Sequence, residues 1–201
     1  MADAIHIETI DGKVEERKPF TVKVDDGEVS KGTYPFFMLK EIDEQPIVMR
    51  RLVEKYTDDH GNIVLPEDLL KALQQADRLY IVAAGTSYHA GLVGAPLFEQ
   101  LAGIPTEVHV ASEFAYHQPL LSKHPLFIFL TQSGETADIR QVLVSVKERG
   151  YQTLTITNVA SSTLAREATF MLQLHGGPEI AVASTKAYTA QIAVEALVSK
   201  A

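Results

Sequence analysis

The chain has 201 residues, 46% hydrophobic and 22% charged, with a net charge of −8 and no cysteine. That composition fits a globular protein with one sizeable core, and it excludes disulfides, thiolate metal sites and thiol nucleophiles together. The negative balance argues against general nucleic-acid binding, which needs clustered Lys and Arg against phosphate.

Residues 4 to about 32 alternate polar with apolar side chains, as in "IHIETIDGKVEER" and "FTVKVDDGEVSKG", each with a DG turn signal. Short antiparallel strands are expected there, too few to close a sheet of their own. Residues 1–33 therefore read as a linker or remnant, and 34–201 as the folded domain.

From Tyr34 to Tyr56, Met38, Ile42, Ile47, Met49 and Val53 recur at near-helical spacing, interrupted by Pro46. Two helical pieces joined at the proline account for it. After the turn "DDHGN", the segment "LPEDLLKALQQA" opens a helix at Pro66, with Leu69, Leu70 and Leu73 on one face.

Beyond Asp77 the pattern repeats as apolar strand, turn and helix. Strands are expected at 78–84, 106–111, 126–131, 152–157 and 169–174. The helices between and after them are expected at about 87–102, 112–117, 135–149, 161–167 and 184–200. Such alternation predicts an α/β fold, a three-layer sandwich in which helices cover both faces of a five-stranded parallel sheet. Gly91 and Gly94 on the first of these helices permit close packing. Pro96 breaks the local rule and predicts a kink.

Ligands of parallel sheets bind beyond the carboxyl ends of the strands, where the following helices begin with free N–H groups. Three turns there are rich in hydroxyls. In "AAGTSYHAG", Thr86 or Ser87 serves either as a helix cap or as part of an anion site; neither GxGxxG nor a Walker loop is present. In "TQSGETAD", the set Ile139, Val142, Leu143 and Val146 starts a buried helix just after the loop. Thr131, Gln132, Ser133 and Thr136 thus surround a helix N-terminus, more polar groups than one cap needs. In "AVASTKAYTAQ", Lys186 either contacts a ligand or, as expected of a lysine near a helix start, is solvated, a place the dipole disfavours for a cation. Ile192, Val194 and Leu197 mark the buried side of the helix that follows.

No run reaches the roughly 20 apolar residues of a membrane span, and "MADAIHIETIDGK" lacks the basic flank and apolar centre of a signal peptide. A cytoplasmic protein is expected. The histidines form no HExxH and no cluster with acidic partners, so no metal site is expected.

Taken in order, "GTSYHAG", "SEFAYH", "LTQSGETAD", "TITNVASSTLARE" and "PEIAVASTKAYTAQ" closely resemble the glutamine–fructose-6-phosphate aminotransferase (isomerising) family, from about Gly32 to Ala201. The resembling module is the first SIS, or sugar isomerase, domain of the family's isomerase half, with a flavodoxin- or Rossmann-like sheet. The family has a glutaminase domain with a cysteine nucleophile, then two SIS domains. A cysteine-free chain of this length implies a fragment, with the N-terminal strands as the tail of the glutaminase domain.

The resemblance implies that fructose 6-phosphate or glucosamine 6-phosphate is held by Ser87, by Thr131, Gln132, Ser133 and Thr136, and by Val182 and Ser184. Thr131 replaces a frequent serine and keeps the hydroxyl. Ala84 stands where cysteine is common. The family's proton-transferring lysine and histidine have no match here, so no catalytic residue, no cofactor and an inactive fragment are expected. Glu135 is expected to cap or to act electrostatically. The resemblance also implies a homodimer, with the helix near Gln45–Tyr56 as one candidate surface. Two rivals are a sugar-phosphate sensor, for which no basic helix-turn-helix precedes Asp77, and a stand-alone isomerase using His89 and Glu135.

Overall fold

Strands buried on both faces must be apolar nearly throughout, and "PLFIFLT" meets that condition. It forms the central strand β3 (Pro125–Thr131), every residue of which is buried. The computed structural model describes residues 6–18 and 29–201. Contacts divide the chain into Met1–Ser30 and Lys31–Ala201.

In the first unit, an isolated antiparallel bridge joins Glu8 to Val14 across the Asp11–Gly12 turn, as the alternation there predicts. The second alternating stretch, 20–32, lies largely outside the described residues.

In the second unit the chain runs through α1 (Phe37–Asp43), α2 (Gln45–Tyr56), α3 (Glu67–Gln75), β1 (Arg78–Ala83) and α4 (Gly85–Leu97). It continues through β2 (Thr106–Val110), α5 (Ala111–Tyr116), β3, α6 (Ala137–Glu148), β4 (Gln152–Thr157), α7 (Thr163–Glu167), β5 (Phe170–Gln173) and α8 (Lys186–Lys200). All five strands pair in parallel, in the order β2-β1-β3-β4-β5. The α/β sandwich expected from the sequence is the fold observed.

Side-chain alternation along the strands splits the core in two. Leu79, Ile81 and Ala83 face a layer that includes Leu52 of α2, Leu69 of α3, Ala90 of α4 and Val194 of α8. Tyr80 and Val82 face Phe114 of α5, Val142 and Leu143 of α6 and Leu164 of α7. The first crossover runs outward from β1 to β2, and the next returns past β1 to β3. The direction reverses between β1 and β3, so loops leaving these neighbours diverge and open a crevice at their carboxyl ends.

Pro46 falls in the first turn of α2, where its missing N–H has no helical partner to lose. The buried face of α2 is Val48, Leu52 and Tyr56, whereas Ile47 and Val53 are exposed. Gly91 lets α4 lie against Ile81, and Gly94 lets it approach Glu195 of α8. Pro96 sits in the last turn of α4, and the helix passes directly into a π-helical turn, Phe98–Ala102.

Candidate functional site

The crevice between β1 and β3 is a cavity of about 330 Å³, within the roughly 300–1,000 Å³ typical of ligand pockets. Ser87, Thr131, Gln132, Ser133, Thr136, Val182 and Ser184 all line it, brought together from three loops far apart in sequence.

Gly85 makes the turn from β1 into α4 with φ +56, a left-handed conformation that disfavours side chains. The helix begins at Gly85 with Ala84 as N-cap, and no side chain caps it. Thr86 and Ser87 thus lie inside the first turn and do not cap it. Ser87 is buried, and Gln191 of α8 donates to its Oγ over 2.8 Å.

The 131–136 loop is folded by its own hydroxyls. Thr131 Oγ1 accepts the Gly134 N–H at 3.1 Å and lies 3.3 Å from Thr136 Oγ1, and Ser133 Oγ accepts the Glu135 N–H. The Gln132 carbonyl accepts the Asn158 N–H and the Thr157 hydroxyl, tying the loop to the end of β4. Gly134 has φ +69, and a Cβ there would fall on Ser162 Oγ, so conformation and space both demand glycine. Thr136 is the N-cap of α6, yet its side chain makes no capping bond. The first N–H groups of α6 therefore lack a side-chain acceptor beside a crevice that Thr136 and Ile139 line, the arrangement that favours an anion.

Glu135 Oε1 accepts the Thr163 N–H at 2.8 Å, at the start of α7. Hydrogen bonding from Thr163, with Arg166 and Arg140 nearby, holds its carboxyl below the usual carboxylate range. Its role is the capping one, exercised on the next helix.

The third loop carries a group that pattern reading missed. Glu179 lines the crevice, and its carboxylate accepts from the Thr185 and Ala187 N–H groups and the Ser184 hydroxyl. It occupies the start of α8, leaving α4 and α6 as the helix ends open to an anion. No periodicity marks it, because it caps a helix from six residues before the N-cap.

Lys186 overturns the solvated expectation. It is 3% exposed, and its Nζ lies 2.6 Å from Glu44 Oε2. A partner 142 positions away in the chain outweighs the helix dipole.

Of the two residues named with the stand-alone rival, neither His89 nor Glu135 lines the crevice. Among the described residues no group of three His, Asp or Glu is placed to hold a metal. No helix among them is long and apolar enough to cross a membrane.

The SIS domain model matches residues 72–200. The glutamine–fructose-6-phosphate aminotransferase (isomerising) of Lactiplantibacillus plantarum is 67% identical over 99% of this chain and 33% of its own length. That of Bacillus subtilis is 58% identical over 98% of this chain and 33% of its own. The chain thus spans about a third of the curated relatives it matches. The solved C-terminal domain of glucosamine-fructose-6-phosphate aminotransferase from Francisella tularensis aligns with TM-score 0.80 and 37% identity, over 85% of this chain and 48% of that one.

Proposed function

This chain belongs to the SIS domain family, and from that premise we propose that its crevice binds a hexose 6-phosphate as the first SIS domain of a glutamine–fructose-6-phosphate aminotransferase. The observation that carries the reading is the convergence of seven expected residues on one crevice beside an uncapped helix end.

The phosphate sits at the start of α6, where N–H groups and the hydroxyls of Ser133 and Thr136 replace its hydration shell. Thr131 shapes the loop through Gly134. The sugar extends toward Ser87 on one side and toward Val182 and Ser184 on the other. Local dipoles suffice for this despite the overall negative charge, because the interaction is short-ranged and partly shielded from water.

In the whole enzyme the substrate would be fructose 6-phosphate, with glutamine-derived ammonia as nitrogen donor and glucosamine 6-phosphate as product. Among the described residues the crevice offers no free carboxylate: Glu179 lines it and is engaged by helix N–H groups, and Glu135, outside the lining, is engaged likewise. This domain supplies binding and orientation, which groups elsewhere convert into rate. Residues 1–33 serve as linker to the binding domain at 34–201. The protein is cytoplasmic and works as a homodimer, for which the exposed Ile47 and Val53 on α2 offer one surface.

Glucosamine 6-phosphate or fructose 6-phosphate should raise the melting temperature in phosphate-free buffer, because binding only the folded state stabilises it by mass action. The Ser133→Ala, Thr136→Ala double variant should lose that rise; an equal rise in both proteins sinks the reading. Ammonia and fructose 6-phosphate should yield no product with this chain, and measured turnover would overturn the half-site assignment.

A further inference from the structure

Helix α1 buries one residue, and it is an acid. Glu41 is 2% exposed, while Met38, Leu39 and Ile42 of the same helix remain exposed. Glutamate is seldom buried unless it is paired, and here the partners are backbone groups of a distant loop. Glu41 Oε1 accepts the Ile180 N–H at 2.6 Å and the Ala181 N–H at 3.0 Å. These residues directly precede Val182 and Ser184.

The neighbouring contacts run the same way. Glu44 holds Lys186 just beyond the loop. Arg51 donates to the His175 carbonyl, and the Tyr56 hydroxyl pairs with both backbone groups of Gln173. The α1–α2 segment therefore grips the chain from Gln173 to Lys186 at successive points, although it lies wholly outside residues 72–200 matched by the SIS model.

We propose that Glu41 is a positioning residue of the sugar end of the crevice, its carboxylate fixing the 179–184 loop from behind so that Val182 and Ser184 meet the ligand. This rests on the sugar-phosphate reading above. Removing the carboxylate takes from both adjacent N–H groups the one acceptor they share, so the loop must shift or admit water. The hydrogen bonds of Glu41 go to Ile180 and Ala181 and not to the phosphate cradle at 131–136, which should be left intact.

The test compares glucosamine 6-phosphate with inorganic phosphate, titrated calorimetrically into the whole chain as wild type, Glu41→Ala and Glu41→Gln. Glu41→Ala should weaken the sugar phosphate about tenfold or more while changing inorganic phosphate less than about threefold. Glu41→Gln keeps an acceptor oxygen and should restore sugar-phosphate affinity to within about threefold of wild type. Equal loss for both ligands, or no loss in Glu41→Ala, overturns the positioning role while leaving the binding reading standing. A wild type that binds no sugar phosphate overturns both. Should Glu41→Ala fail to fold, amide exchange in the wild type decides: Ile180 and Ala181 should be protected, and exchange at unprotected rates removes the proposal.

Discussion

Two cavities of nearly equal size lie at opposite ends of the sheet, about 330 Å³ at the carboxyl ends of β1 and β3 and about 350 Å³ at the amino ends of β3 and β4. The second is lined by Lys123, His124 and Arg149, so a count of cations would choose it for a phosphate. The backbone says otherwise. Helices α3 and α6 end there, at Ala76 and Arg149, and carbonyl ends attract cations. Arg149 is also engaged by Gln118 and by the face of Tyr151. The first cavity has no lining cation, yet helix starts and hydroxyls open into it. Direction of the peptide dipoles separates a binding crevice from a cleft whose charges complete helix ends.

Substituting glycine at each end should show the sharpest difference. Gly134 and Gly150 both have positive φ, but only Gly134 has no room for a Cβ. Gly150→Ala should cost about 1 kcal/mol through backbone strain alone. Gly134→Ala should cost about 3 kcal/mol, strain plus overpacking, and should abolish the sugar-phosphate-dependent rise in melting temperature. Denaturant titration of the two variants checks this; equal losses would break the contrast.

Buried polar groups on α8 sharpen it further. Gln191 donates from Nε2 to Ser87 and leaves its Oε1 unpaired, whereas Glu195, one turn on, has neither carboxyl oxygen hydrogen-bonded. Burial pushes the Glu195 carboxyl well above its usual 4.5. The folded chain then holds that proton more tightly than the unfolded chain does. The contribution is intact below the unfolded value and is lost as pH rises toward the folded one. Glu195→Gln should therefore gain stability relative to wild type as pH rises above the usual 4.5 of a glutamate. A constant difference above that value would mean Glu195 does not titrate abnormally.

The smallest effect should come from the basic cleft. Lys123→Ala with Arg149→Ala should leave glucosamine 6-phosphate affinity within about twofold, since the length of β3 (Pro125–Thr131), roughly 20 Å of strand, separates the two ends and exceeds the Debye length of about 8 Å. A tenfold loss would relocate the anion site.

Much of this was legible in the residues. Parallel strands buried on both faces write themselves as apolar runs such as "LFIFLT", and α6 declares itself by Ile139, Val142, Leu143 and Val146, all buried. The 131–136 turn stood out because its polar groups exceed what capping requires. Less legible were roles fixed by remote partners: Ser87 is held by Gln191, Lys186 by Glu44, and the 180–181 backbone by Glu41. The apolar set on α2 left its burial open for a related reason. Periodicity marks an apolar stripe but cannot say which of two stripes meets the core.

The sequence by itself determined the elements, their alternation and the turns able to take an anion, because helix and strand periods and glycine's freedom at positive φ are local properties. Only the tertiary structure decided that three of those turns share one crevice, and that Glu179 closes the third helix start against an anion. Sheet order and the reversal between β1 and β3 bring together residues about a hundred positions apart, and no local period carries that information.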